Sequence, residues 1–161
     1  MIRLATSADV PSIIHLERAC ASAAHWTEQQ YRQTFDSARA ERLVLVAEIP
    51  FDSATDRVTV PDAAPNILGF LVAHHLAPEW ELENIVVAPS SRRQGLGKQL
   101  LQALLATARE TNSESVFLEV RESNAAARNL YERMGFELTG RRNAYYKDPA
   151  EDAVLYRLTL K

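Results

Sequence analysis

Apolar positions along the chain switch between a two-residue and a three-to-four-residue spacing, and the switches divide it into strands and helices. IRLAT (2–6) reads as a short strand, with Thr6 or Ser7 capping a helix through ADVPSIIHLERAC (8–20). In that helix Val10, Ile13, Ile14, Glu17 and Arg18 keep a helical period. A second helix is expected over TEQQYRQTFDSA (27–38), capped by Thr27, with Tyr31 and Phe35 on one face. RLVLVAEI (42–49) and NILGFLVAHHL (66–76) are rich in Val, Ile and Leu and read as strands. Between them, residues 50–66 carry three prolines and three aspartates, and are expected to form a long mobile excursion with a short extension at RVTV.

The second half is more regular. WELENIVVAP (80–89) is a strand and SSRRQGLG (90–97) a loop. KQLLQALLATARE (98–110) is a helix with Leu100, Leu101, Leu104, Leu105 and Ala108 in one stripe. SVFLEVRE (115–122) is a strand, and SNAAARNLYERMG (123–135) a helix started by Ser123 or Asn124 and stopped by Gly135. FELTGRRNAYY (136–146) and DAVLYRLTL (152–160) form a closing antiparallel pair. The order predicts an α/β (α+β) fold with a mixed sheet and helices on its faces, rather than an all-parallel doubly wound sheet.

Length and composition narrow the function classes. The 161 residues fit a single domain, and 47% hydrophobic with 24% charged content is ordinary for a globular chain. A net charge of −3 gives no pull toward nucleic acid or an anionic membrane. No apolar run reaches the length of a bilayer span and no signal peptide is read at Met1, so a cytoplasmic address is expected. The lone Cys20 excludes an internal disulfide, and no metal site is expected. His74 and His75, adjacent on a strand, face opposite sides and read as surface residues.

The loop RRQGLGK carries the candidate chemistry. A Walker loop requires glycine at position 92, which is Arg92, and a dinucleotide fingerprint requires it at 100, which is Leu100. Both nucleotide readings fail. What remains is a backbone that can approach an anion at Gly95 and Gly97, where a helix begins, with Arg92, Arg93 and Lys98 adding charge. An ordinary strand-to-helix turn with solvated cations fits those residues equally well.

The neighbouring motifs decide between them. Arg92, Gly95 and Gly97 fill the pattern Gln/Arg-x-x-Gly-x-Gly/Ala, and Asn124, Ala127, Leu130, Tyr131, Gly135 and Phe136 fill N-x-x-A-x-x-L-Y-x-x-x-G-F. With NIVVAP, LEVRESNAAARNLYERMGF and RRNAYY…EDAVLYRL, nearly the whole chain resembles the GNAT family of N-acetyltransferases, most of all its bacterial branch acting on ribosomal-protein alanine. The resemblance implies a mostly antiparallel sheet of six to seven strands with a splay between strands 4 and 5, and acetyl-CoA as cosubstrate. The implied acceptor is a protein N-terminus, that of a ribosomal protein in this branch. Transfer is direct, in a ternary complex, because Cys20 lies far along the chain from the cofactor motifs. The expected state is a monomer or weak homodimer.

The resemblance also assigns roles. The loop Arg92, Arg93, Gln94, Gly95, Leu96, Gly97 and Lys98 is expected to hold the pyrophosphate. Main-chain N–H groups of Ile85, Val86 and Val87 would polarise the thioester carbonyl as an oxyanion hole does. Glu119 takes the place of the general base; the alternative is a strand carboxylate paired with Arg92, Arg121 or another cation. Tyr131 takes the place of the acid, against a core tyrosine with a satisfied hydroxyl. Asn124 would bond the pantetheine arm, with helix capping as competitor. Acceptor contacts fall to Trp26, Glu81, Tyr145 and Tyr146, although burial suits Trp26 equally. His25 stands where the family has proline, Glu83 where it has an apolar residue, and Lys147 where a proline follows the tyrosine pair. Two other readings stay open: a small-molecule amine acetyltransferase, and a non-catalytic acyl-CoA-binding module.

Overall fold

The computed structural model describes residues 1–36, 41–49 and 67–160. The expected 50–66 excursion and its RVTV extension lie outside the described residues. Among the described residues seven strands form one sheet: β1 (Ile2–Leu4), β2 (Arg42–Glu48), β3 (Ile67–Leu76), β4 (Glu79–Val87), β5 (Ser115–Arg121), β6 (Glu137–Lys147) and β7 (Ala150–Thr159). Four α-helices among the described residues accompany them: α1 (Val10–Arg18), α2 (Glu28–Gln33), α3 (Leu96–Glu110) and α4 (Ala125–Arg133). The sheet order is β1-β2-β3-β4-β5-β7-β6, antiparallel throughout except for the parallel pair β4–β5.

Alternation sorts the strand side chains onto two faces. On β2, Val44 and Val46 join a cluster with Val10, Ile13 and Ile14 of α1, while Leu45 and Ala47 join a second cluster with Leu100, Leu101 and Leu104 of α3. Each helix stripe seen in the sequence is therefore one wall of a core.

Two departures from the sequence expectation have a visible cause. The second helix ends at Gln33, because Thr34 donates its hydroxyl to the Tyr31 carbonyl (2.6 Å). Its start is as expected, with Thr27 and Gln30 exchanging hydrogen bonds in a capping box. The third helix begins two residues early, at Leu96, because Gly95 turns into the left-handed region at φ +82° and acts as its N-cap.

The first strand is tied to the first helix by a buried carboxylate. Asp9, 2% exposed, accepts two hydrogen bonds from Arg3 (2.8 and 2.9 Å) and one from the Thr6 amide (2.7 Å). The Arg3 bonds hold its pKa below the ordinary 3.8, against opposing burial. A lowered carboxylate pKa stabilises the fold above the unfolded-state value and loses that stabilisation as pH falls through the folded one. Asp9→Asn is therefore expected to cost about 2 kcal/mol at pH 6, a gap that closes as pH drops below 3.8. Urea midpoints of both proteins across pH 2.5–7 (on the order of 1 unit steps) measure the gap.

Candidate active site

The parallel pair β4–β5 is short. It runs only from Glu79↔Ser115 to Leu82↔Leu118, although β4 continues to Val87 and β5 to Arg121. Beyond Leu82 and Leu118 the two strands splay apart. A bulge marks the point: Ala73 of β3 pairs with Leu82 and Val72 with Asn84, leaving Glu83 as the extra residue. The bulge reverses the alternation. Leu82 and Val86 would share a face of a regular strand, yet they sit in opposite core clusters.

Backbone directions past the bulge follow from two hydrogen bonds. The Ala88 amide donates to the Leu68 carbonyl of β3 (2.7 Å), and the Val87 carbonyl accepts from Arg92 Nε (3.2 Å). Successive residues alternate, so the N–H groups of Ile85 and Val87 point into the splay and that of Val86 points to β3. The expectation for Val86 is corrected here. It pairs with Phe70, and its side chain, 4% exposed, packs in the α1 cluster.

A cleft of about 240 Å³ fills the splay. Its walls are the loop Ser22–His25, Leu82–Ile85 of β4, Glu119–Arg121 of β5, Asn124, Ala127 and Tyr131 at α4, and Tyr146 of β6. Ile85, Glu119, Asn124, Tyr131 and Tyr146, distant in sequence, thus meet around one space. At the other end of the splay the chain turns through Pro89–Ser91 and Arg93 (φ 63°) into α3. The first intrahelical acceptor there serves Gln99, whose amide bonds Gly95 O (3.0 Å), so the amides from Gly95 to Lys98 have none. The N-cap of α3, Gly95, has no side chain with which to cap this end. A Cβ on Gly97 would meet Leu130 Cδ2 at 3.0 Å, so glycine lets α3 start hard against α4. Arg92, Arg93, Gln94 and Lys98 surround the turn exposed. Free amides and cations at a helix start suit a pyrophosphate.

Glu119 ion-pairs with Arg142 Nε of β6 (2.9 Å), a cation the sequence did not single out. Arg92 and Arg121 are engaged elsewhere: Arg92 on Val87 O and Cys20 Sγ, Arg121 on Glu151 and over the Tyr146 ring at 4.1 Å. Tyr131 is 4% exposed, its ring 5.8 Å from Phe136 and 6.1 Å from Tyr156. Its hydroxyl has no hydrogen-bond partner among the described residues, which sets aside the core tyrosine with a satisfied hydroxyl. Burial first, then Tyr146, pushes its pKa well above the ordinary 10.0 and keeps it protonated. Asn124 Oδ1 accepts the Ala127 amide (3.2 Å), so it is a helix cap whose Nδ2 has no protein acceptor among the described residues.

Acceptor-side expectations divide. Tyr145 stands T-shaped on Tyr146 (5.1 Å), and the Glu119 charge raises its pKa. Glu81 is half-buried without a hydrogen bond or ion pair among the described residues; burial, then Glu83 and Glu119, raise its pKa. Trp26 does not line the cleft. It packs into the α1 cluster, 5.3 Å from the Tyr31 ring, with the Arg42 guanidinium at 5.8 Å. Arg42 in turn holds Glu83 through two bonds (2.8 and 2.9 Å). His74, Glu81 and Glu83 lie close enough to share an ion, but that arginine already occupies Glu83. Sequence reading passed over Arg42, Asn84 and Arg142. The one signal was a carboxylate, Glu17, on the apolar stripe of α1.

A family model described as Acetyltransferase (GNAT) family matches residues 11–136. The chain belongs to the GNAT family. It is accordingly an acetyl-CoA-dependent N-acetyltransferase, and the amide-rich turn and splay fit that cosubstrate. This acetyltransferase is 35% identical over 154 residues to the ribosomal protein bS18-alanine N-acetyltransferase of Escherichia coli K12, covering 94% of its own chain and 92% of that protein. The crystal structure of the E. coli ribosomal-protein-S18-alanine N-acetyltransferase superposes with TM-score 0.80 at 28% identity, over 100% of this chain and 94% of that one. Arabidopsis thaliana NAA60 in complex with acetyl-CoA shares the fold at TM-score 0.83 and 15% identity, over 99% and 98% of the chains. Among the described residues no helix is long and apolar enough to cross a membrane.

Proposed function

We propose that this acetyltransferase moves an acetyl group from acetyl-CoA to the N-terminal α-amine of a protein, with an N-terminal alanine of a ribosomal protein as acceptor, in the cytoplasm. The observation that carries this reading is the convergence of Glu119 and Tyr131 on one cleft beside the splayed Ile85 amide. The thioester supplies an activated acyl carbon when acetyl-CoA is bound. Residues Arg92–Lys98 hold its pyrophosphate, the Asn124 Nδ2 group its pantetheine arm, and the N–H groups of Ile85 and Val87 its carbonyl oxygen. The acceptor enters over Tyr145, Tyr146 and Glu81. Its amine loses a proton to Glu119, directly or through a water, and attacks the carbonyl carbon. The carbon–sulfur bond breaks, Tyr131 gives its proton to the thiolate, and the second proton of the acylated nitrogen passes through water to restore the tyrosine.

An α-amine suits a carboxylate base. With a pKa near ~8, roughly a tenth of it is neutral at pH 7, against well under a thousandth for a lysine near ~10.4. The test is a panel of N-terminal peptides, polyamines and aminoglycosides with acetyl-CoA, alongside mass spectrometry of ribosomal proteins from cells with and without the gene. Peptide acetylation and one ribosomal N-terminus losing 42 Da (about the mass of an acetyl group replacing hydrogen) in the deletion are expected. Turnover of small amines alone, with every ribosomal N-terminus unchanged, removes the reading.

A further inference from the structure

Glu17, on the sheet-facing side of α1, takes no part in the chemistry above, yet its carboxylate is 1% exposed. One oxygen, Oε1, accepts three hydrogen bonds from three separate elements: the Trp26 amide (3.2 Å), the Tyr31 hydroxyl of α2 (2.6 Å) and Asn84 Nδ2 of β4 (2.9 Å). Asn84 also donates to the Tyr31 oxygen (3.1 Å), closing the network. No Lys, Arg or His pairs with Glu17 among the described residues. A carboxylate held only by neutral donors is a costly thing to bury, and the apolar neighbours Val10, Ile13 and Ile14 already seal the core there.

The donors show where the clamp acts. The Trp26 amide follows His25, whose φ of 55° is a strained left-handed value for a non-glycine residue. That corner ends the loop Ser22–His25, one wall of the cleft. Asn84 follows the bulged Glu83 and precedes Ile85, whose amide points into the splay. Both walls of the cleft are thus anchored to a single buried oxygen. We infer that Glu17 is a positioning residue that fixes the loop Ser22–His25 against bulged β4, setting the width of the acceptor entrance. The inference rests on this cleft being where the acceptor amine binds. None of the network's hydrogen bonds reaches residues 92–98 among the described residues, so the pyrophosphate turn is expected to keep its arrangement.

The acceptor is the peptide that wild type acetylates best. Glu17→Leu is expected to raise its KM ~tenfold or more, with the KM for acetyl-CoA within about twofold of wild type. Glu17→Gln, which keeps an accepting oxygen, falls between the two. Tyr31→Phe removes one donor while its ring stays packed on Phe70 and Trp26, and moves acceptor KM about threefold in the same direction even where Glu17→Leu does not fold. A merely structural role lowers the folded fraction and so kcat, leaving both KM values alone; that result overturns the inference. Should wild type acetylate no N-terminal peptide, the functional reading fails and hydrogen exchange still decides this one. Amides of residues 22–26 exchange at least tenfold faster in Tyr31→Phe or Glu17→Gln than in wild type, with α3 unchanged, if the clamp exists (about a tenfold change being 1.4 kcal/mol). Unchanged exchange there abolishes it.

Discussion

Glu119→Gln is expected to lower kcat for an N-terminal peptide by roughly 10²–10³-fold, within the range a positioned general base supplies. The glutamine keeps the size and the hydrogen-bonding oxygen, so the cleft and the Arg142 contact survive while proton-accepting capacity is lost. Arg142→Ala serves as the control. Its guanidinium is half-exposed, with 56% of the side chain accessible, and an ion pair of that kind contributes little to stability. If the pair is only a resting partner for the carboxylate, that variant retains activity within a few-fold of wild type. The pH profile separates the roles further. In wild type the base takes the ammonium proton in the cleft, so the rate rises only weakly toward the α-amine pKa near ~8. Without the base only pre-neutralised amine reacts, so the residual rate rises about tenfold per pH unit below ~8 and levels off above it. Glu119→Gln within twofold of wild type would leave the carboxylate as the partner of Arg142 and nothing more.

Much of this arrangement is legible in the chain. The stripes on α1 and α3 and the alternation on β2 specify both core clusters, and Gly95, Gly97 and the Asn124–Phe136 run place the glycine turn and α4. What the sequence conceals is set by contacts across distant segments. The bulge at Glu83 leaves only a faint local trace, the consecutive polar residues Glu83 and Asn84 between Leu82 and Ile85; the opposite clusters of Leu82 and Val86 reveal it. For the same reason Val86 reads as one of three equivalent amides, when backbone direction alternates and turns it to β3. The network of Glu17, Tyr31 and Asn84 joins residues up to 67 positions apart, and no spacing rule links them. Trp26 illustrates a choice between wall and core that periodicity leaves open and packing decides.

Tyr131→Phe is expected to cost roughly 10²-fold in kcat while leaving the melting temperature and both KM values close to wild type. The two halves of that expectation come from different atoms of one side chain. The ring packs against Phe136 and Tyr156 in the main core, and phenylalanine preserves every such contact. Tyr131 lines the cleft and its hydroxyl bonds no described residue, so deleting the hydroxyl orphans no partner. A tyrosine kept for its hydroxyl's structural bond would show the reverse: about 1 kcal/mol of lost stability and unchanged turnover. Burial keeps this phenol protonated far above neutral pH, so it stands ready as a hydrogen-bond donor to charge that develops in the cleft. The thiolate released when the thioester breaks is a weaker base than a phenolate (a thiol ionises near ~8.5, a phenol near ~10). The hydroxyl therefore stabilises it by a hydrogen bond as the carbon–sulfur bond breaks, and the proton follows only as water restores the tyrosine. Equal kcat in Tyr131→Phe would assign the proton to solvent and reduce Tyr131 to a packed ring.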